Sequence, residues 1–157
     1  MTEKKKLIVL IPHFNNPEGL RDSIFSIDES FDVDVMVVDD GSKIMPNEKE
    51  ISNGYKYGKV FFEYLSENKG VGHALNHGLK KIQQMNYEWV GRLDAGDFNK
   101  KDKYAKQFTY LEKHPEIKLL GTWANMLDEK GNLKFILRHP KHHREIKNKM
   151  YINNRFV

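Results

Sequence analysis

A chain of 157 residues is long enough to bury a substantial core and short for two comfortable domains, so one unit over residues 1–157 is expected. Lys and Arg number 26 against 22 Asp and Glu, a formal net charge of +4, and the positive residues are scattered apart from Lys4-Lys5-Lys6 and the 138 to 149 region, which is weak grounds for a polyanionic partner. The absence of cysteine excludes a disulfide framework, a thiolate metal site and a thiol nucleophile. The apolar run Leu7 to Ile11 is too short for a signal-peptide core or a membrane span, so a cytoplasmic protein is the expectation.

Leu7-Ile8-Val9-Leu10-Ile11 is an unbroken branched apolar run that reads as a strand buried on both faces and ending at Pro12. His13 to Pro17 follows as a loop, and from Glu18 the residues Leu20, Ile24, Phe25 and Ile27 recur at helical spacing up to about Ser30. Val35 to Val38 repeats the strand signature and stops at the turn-forming Asp39-Asp40-Gly41-Ser42. Residues 43 to 58 are polar and weakly periodic, consistent with a short helix or an irregular connection. Val60 to Leu65 reads as a third strand. The helix after Gly70 has a predicted inner face of Val71, Ala74, Leu75, Gly78, Leu79, Ile82 and Met85, and an outer face of His73, His77, Lys80, Lys81 and Gln84.

Trp89 to Leu93 is a fourth strand, expected to be buried. Tyr104, Ala105, Phe108 and Leu111 mark a further helix ended by His114-Pro115. Leu119 to Leu127, a turn at Asp128 to Asn132, and Leu133 to Leu137 read as an antiparallel hairpin. The tail from Lys141 looks helical around Ile146 and Met150, and Asn153 to Val157 looks like the start of a strand. Strands alternating with helices up to residue 115 predict an α/β fold, a mostly parallel sheet flanked by helices with the hairpin appended.

Three loops at carboxyl ends of predicted strands carry chemistry: Pro12 to Asn15, Asp39 to Ser42, and Asp94 to Asp97. With Glu67-Asn68-Lys69-Gly70 they are expected along one edge of the sheet, where α/β proteins bind ligands. Asp94 and Asp97, separated by Ala95 and Gly96, form an acidic corner suited to a divalent cation and a phosphate-bearing ligand. Taken alone, such a D-x-x-D is more often an acidic surface turn.

The runs LIVLIPHFNN, VMVVDDGS, SENKGVGHALNHGL and VGRLDAGD, in this order and spacing, resemble the donor-binding half of inverting family 2 glycosyltransferases with the GT-A fold, over roughly residues 6 to 137. The resemblance implies transfer of a sugar from a nucleotide-diphospho-sugar (UDP, dTDP or GDP) to a saccharide or lipid-linked saccharide acceptor, with bacterial surface polysaccharide as the setting. It places Pro12, His13, Phe14 and Asn15 around the nucleotide base, Phe14 as a stacking face, and Asp40 as acceptor for a base N–H with Asp39 shaping the loop. Asn68 and Lys69 fall near the ribose and phosphates, with helix capping as the competing role for Asn68. Asp97 is expected on the metal, Mg²⁺ or Mn²⁺, and Asp94 on the metal, the ribose or a supporting contact. Gly96 departs from the pattern, since many members carry an acidic residue there.

The resemblance also implies a later Asp or Glu as general base. No counterpart stands before Val157: Glu145, the only carboxylate after Glu129, lies in a basic stretch. The catalytic base is therefore unassigned, and the chain is expected to end before the acceptor-site segment, so that a non-catalytic nucleotide-sugar-binding module is the alternative reading. Other classes fare worse. Gly70-Val71-Gly72 with Asp94 lacks the third glycine of a dinucleotide fingerprint, where Leu75 stands. His73 and His77 lie four apart, but Ala74 occupies the position a zinc protease needs for Glu. The cluster of His139, Lys141, His142, His143 and Arg144 offers contact with lipid-linked phosphates or a membrane surface, against a solvated helix flank. Tyr104, Phe108 and Tyr110 fall in core spacing, which argues against nucleic-acid binding.

Overall fold

The computed structural model describes residues 5–150, which fall into two compact units, one up to Lys106 and one from Gln107. The first holds β1 (Lys5–His13), α1 (Pro17–Phe25), β2 (Asp34–Asp39), α2 (Glu48–Gly54), β3 (Val60–Tyr64), α3 (Val71–Ile82) and β4 (Tyr87–Arg92), and α4 (Lys103–Lys113) begins within it. β1 to β4 form one parallel sheet in the order β3-β2-β1-β4. The second unit contains β5 (Ala124–Leu127), β6 (Leu133–Leu137) and α5 (His143–Met150), the two strands pairing antiparallel as the sequence predicts. The expected tail strand at Asn153 to Val157 lies outside the described residues.

The apolar run of β1 is buried from Leu7 through Ile11, and β2 is buried along its whole length. These strands occupy the two inner positions of the sheet, which is why they lack the alternation of a half-exposed strand. One face of the pair packs on α3: Ile8, Leu10, Met36 and Val38 meet Ala74 and Ile82, with Phe61, Leu65, Leu75, Met85 and Tyr87 around them. The helix comes so close that a Cβ on Gly78 would lie 2.4 Å from Leu10 Cδ1. Because parallel crossovers are right-handed, the outward steps β1-α1-β2 and β2-α2-β3 put α1 and α2 on the face opposite α3, whose connection runs back across the sheet.

Several predicted boundaries shift, each for a local reason. β1 continues through Pro12 to His13. Leu10 accepts from Leu93 N–H on the β4 side, so Pro12, two residues on, turns its donorless nitrogen to the same side, past the last β4 ladder pair at Leu10–Arg92. α1 stops at Phe25 rather than near Ser30, because the buried Glu29 is used elsewhere: its carboxylate accepts from Tyr104 N–H at 2.7 Å and Ala105 N–H at 3.0 Å, capping α4. β4 is an edge strand with every second residue exposed, not a buried one. On α3, Val71 and Leu79 are exposed rather than inward, and His77 is half-buried against Glu63 at 3.1 Å. β5 begins only at Ala124, since its partner ends at Leu137, shortly before Pro140, and residues 119 to 123 have no ladder to join.

At the amino edge of the sheet a single buried carboxylate ties all four strands. Asp34 on β2 accepts from Lys59 N–H at 2.7 Å just before β3, from Tyr87 Oη at 2.5 Å on β4, and from Lys5 Nζ on β1. Burial pushes its pKa up, but these hydrogen bonds outweigh it and the net shift is downward. A lowered folded-state pKa contributes stability above the ordinary carboxylate range that is lost as the pH falls through the folded value. Asp34→Asn is therefore expected to lower the unfolding free energy at pH 7 by about 1–3 kcal/mol, with the difference from wild type shrinking below pH 4. Urea denaturation across that range checks this, and a gap independent of pH would contradict it.

Candidate functional site

The sheet order reverses between β1 and β4: successive strands first step outward from β1 to β2 to β3, and β4 then joins the other side of β1. The carboxyl end of such a switch point is a natural crevice, because the chains leaving the two strands diverge there. The end of β1 with the loop after it, carrying His13 to Asn16, and the loop after β4, carrying Asp94 to Asp97, both lie at this edge. The predicted convergence of loops follows from this topology.

Internal hydrogen bonds hold these loops. His13 is buried, and its Nδ1 lies 2.6 Å from Asp39 Oδ2. Asn16 N–H donates to His13 Nε2 at 3.1 Å, so Nε2 is an acceptor and the ring carries its proton on Nδ1, donated to Asp39. Asp39 Oδ1 accepts from Ser42 N–H at 2.8 Å. Burial raises the pKa of Asp39, while the bonds from Ser42 and His13 more than offset this and hold it below the usual range. Ser42, His13 and Asp39 do not make a hydrolytic triad: Ser42 Oγ lies 3.5 Å from Nδ1, the nitrogen already held by Asp39, and Nε2 is taken by backbone.

Asn15, with a left-handed φ of 50°, donates its N–H to Ser42 Oγ at 2.8 Å and accepts at Oδ1 from Lys43 and Ile44 N–H at 2.8 and 3.1 Å. The buried Asp40 accepts from Gly70 N–H at 2.7 Å and Lys69 N–H at 3.1 Å. His13, Asn15, Asp39 and Asp40 thus stitch three loops together, and Pro12 is buried beside them. Facing outward are Phe14, 47% exposed, Asn68, and Lys69, whose Nζ pairs with Glu67 at 2.8 Å. Asn68 does not cap α3, whose N-cap is Gly70, with no side-chain cap hydrogen bond.

The acidic corner is clamped by α1. Asn16 caps that helix and donates from Nδ2 to Ala95 O at 3.4 Å, while Ser23 Oγ donates to Asp94 O at 3.3 Å and accepts from Gly96 N–H at 2.8 Å. Gly96 has φ 105°, a conformation that disfavours any side chain, so this turn disfavours the acidic residue that the family resemblance leads one to expect there. Asp94 is held bidentately by Arg92, Nε to Oδ1 at 2.8 Å and Nη2 to Oδ2 at 2.9 Å. Partial burial, then the charge of Asp94, raise the pKa of Asp97 against the opposing pull of Lys103 and Arg92. Lys103, which donates to Asn99 Oδ1 at 2.9 Å, has its own pKa lowered by burial, with Asp97 and Glu29 opposing.

Among the described residues no three His, Cys, Asp or Glu side chains gather as a metal cage. Two coupled carboxylates on one turn instead fit a hard cation that completes its shell with ligand phosphate and water, the usual arrangement for Mg²⁺. Sequence reasoning missed Arg92, Ser23, Asn16 and Lys103. Only Arg92 left a local signal, since residues two apart at a strand end share a face. A shallow cleft lined by Pro17, Arg21, Met45 and Glu50 contains none of the predicted site residues.

The four-stranded parallel sheet flanked by helices, together with the separate antiparallel pair of strands, makes this an α/β fold, of the GT-A type by its similarity to solved structures. Crystal structures of S. aureus TarS share the fold: one has a TM-score of 0.60 at 22% identity over 79% of this chain and 23% of that one, and TarS 1-349 has 0.60 at 23% over 70% and 33%. The model of glycosyl transferase family 2 matches residues 8–156, and the chain belongs to that family. An uncharacterized glycosyltransferase of Methanocaldococcus jannaschii is 31% identical over 83% of this chain and 46% of its own length. The amylovoran biosynthesis glycosyltransferase AmsE of Erwinia amylovora is 37% identical over 43% of this chain and 24% of its own. The chain thus spans less than half of these relatives.

Asp39→Ala leaves the His13 Nδ1–H and Ser42 N–H without their acceptor, and is expected to cost about 2–4 kcal/mol of unfolding free energy. A loss below about 1 kcal/mol in urea denaturation would show that the loops do not depend on this carboxylate.

Proposed function

We propose that the chain binds a nucleotide-diphospho-sugar across the β1–β4 switch point and serves transfer of the sugar to a hydroxyl of a saccharide or lipid-linked saccharide acceptor. The observation that carries this reading is the acidic turn Asp94 to Asp97, pinned by α1 at the carboxyl end of β4 beside the loop that follows β1. Membership of glycosyl transferase family 2 supports the reaction class, and the relative named for amylovoran biosynthesis supports a surface polysaccharide as the setting. No described helix is long and apolar enough to cross a membrane. The basic α5 segment is proposed as a peripheral contact with the inner face of the membrane.

The chain's residues divide the work. The loops stitched by His13, Asn15 and Asp39 hold the base site open before ligand arrives, which lowers the ordering cost of binding. Phe14 offers an exposed ring for stacking. Asp40, with two backbone N–H groups on its carboxylate, keeps acceptor capacity for the ring N–H of uracil or thymine. Lys69 and Asn68 reach toward ribose and phosphate from the third loop. Asp94 and Asp97 would hold Mg²⁺ or Mn²⁺, which would supply positive charge to stabilise the departing diphosphate. Inversion at the sugar carbon requires the acceptor hydroxyl to attack from the face opposite that leaving group, so the acceptor lies across the sugar from the acidic turn.

Calorimetry with UDP-, dTDP- and GDP-sugars, each with and without Mn²⁺, tests the reading. One donor class is expected to bind only with the cation, and Asp97→Ala is expected to weaken that binding at least about tenfold, the loss of one charge-assisted ligand. Failure of all three donors to bind, or full cation-dependent binding by Asp97→Ala, would overturn it.

A further inference from the structure

Arg92 has no role in the reading above, and its position gives it one. Its guanidinium covers both oxygens of Asp94 at 2.8 and 2.9 Å, so the carboxylate that would face a cation is already neutralised by a cation of the chain itself. The two partners differ in freedom. The backbone of Asp94 is held through its carbonyl, which accepts from Ser23 Oγ and Asp97 N–H, and its carboxylate rides on a short stem, whereas the equally exposed guanidinium of Arg92 rides on a long flexible stem at the end of an edge strand. Any exchange therefore moves the arginine. A planar fork that fits a carboxylate bidentately fits a phosphate equally well, and a divalent cation and a guanidinium on one carboxylate repel each other.

We infer that Arg92 is a resident counter-ion that occupies Asp94 in the ligand-free protein and releases it to a divalent cation when a nucleoside diphosphate takes up the guanidinium. Arg92 is thus a positioning residue: it suppresses cation binding to the empty site and couples cation and diphosphate binding. By linkage the coupling is reciprocal, each ligand tightening the other by the same factor. The inference rests on the donor-site reading and adds an order to it, because a cation alone meets a corner whose charge is already balanced.

The test measures Mn²⁺ binding by electron paramagnetic resonance of free Mn²⁺, first alone and then with UDP, dTDP or GDP, for wild type, Arg92→Gln and Arg92→Lys, with thermal melts to confirm folding. Wild type is expected to bind Mn²⁺ weakly alone and at least about tenfold more tightly with its diphosphate, a typical coupling between two ligands. Arg92→Gln is expected to bind Mn²⁺ alone about tenfold more tightly than wild type and to lose most of the diphosphate enhancement. Arg92→Lys, which keeps the charge without the fork, is expected to lie between them. If wild type binds Mn²⁺ with a diphosphate and Arg92→Gln binds Mn²⁺ alone no more tightly than wild type, the counter-ion role is wrong while the donor site stands. If wild type binds no Mn²⁺ with any of the three diphosphates, both fall.

Discussion

The burial of two consecutive carboxylates, Asp39 and Asp40, at the end of an inner strand is the constraint on which the candidate site depends. A buried carboxylate is tolerated only when its oxygens receive hydrogen bonds, and here the donors come from three different loops. His13 and Ser42 N–H serve Asp39, and Lys69 and Gly70 N–H serve Asp40. The requirement is electrostatic, but its result is mechanical: segments far apart in sequence are held in register at the ligand-facing edge. The tautomer of His13 follows from the same demand, because a ring that must donate to Asp39 and accept from Asn16 N–H has only one neutral form that satisfies both.

The amino edge uses the same device in mirror position, with Asp34 drawing in groups on or beside the other three strands. Carboxylates therefore fasten the sheet at both ends, while Leu, Ile and Val fill its middle. This division matters for function. The apolar centre supplies stability without directional demands, and the polar ends fix geometry where a ligand's phosphates and base have to be met.

Strand order then decides which loops share the crevice. β1 and β4 are 74 residues apart from the end of one to the start of the other, yet their adjacency puts Asn16 against Ala95 and Ser23 against Asp94 and Gly96. The turn so held takes a left-handed Gly96, which fits an acidic motif with two carboxylates, Asp94 and Asp97. Arg92 lowers the free negative charge of this corner further, as a cation already seated on Asp94.

The sequence by itself determined the parallel core, the helix after Gly70, the hairpin at Asp128 to Asn132 and the family motifs, because these rest on apolar periodicity and turn chemistry that act within a few residues. It named His13, Asn15, Asp39, Asp40, Asp94 and Asp97 as the residues of interest. Only the tertiary structure decided what each holds, since Asn15 and Ser42, or Glu29 and Tyr104, meet across chain separations that no local pattern encodes. The same limit explains the elements that shifted: β4 became an edge strand through sheet order, α1 ended early because Glu29 caps a distant helix, and β1 ran through Pro12 because the neighbouring strand had already ended. Short-range patterns select elements, whereas hydrogen-bond demand across the fold selects where they stop and which side chains are left to meet a ligand.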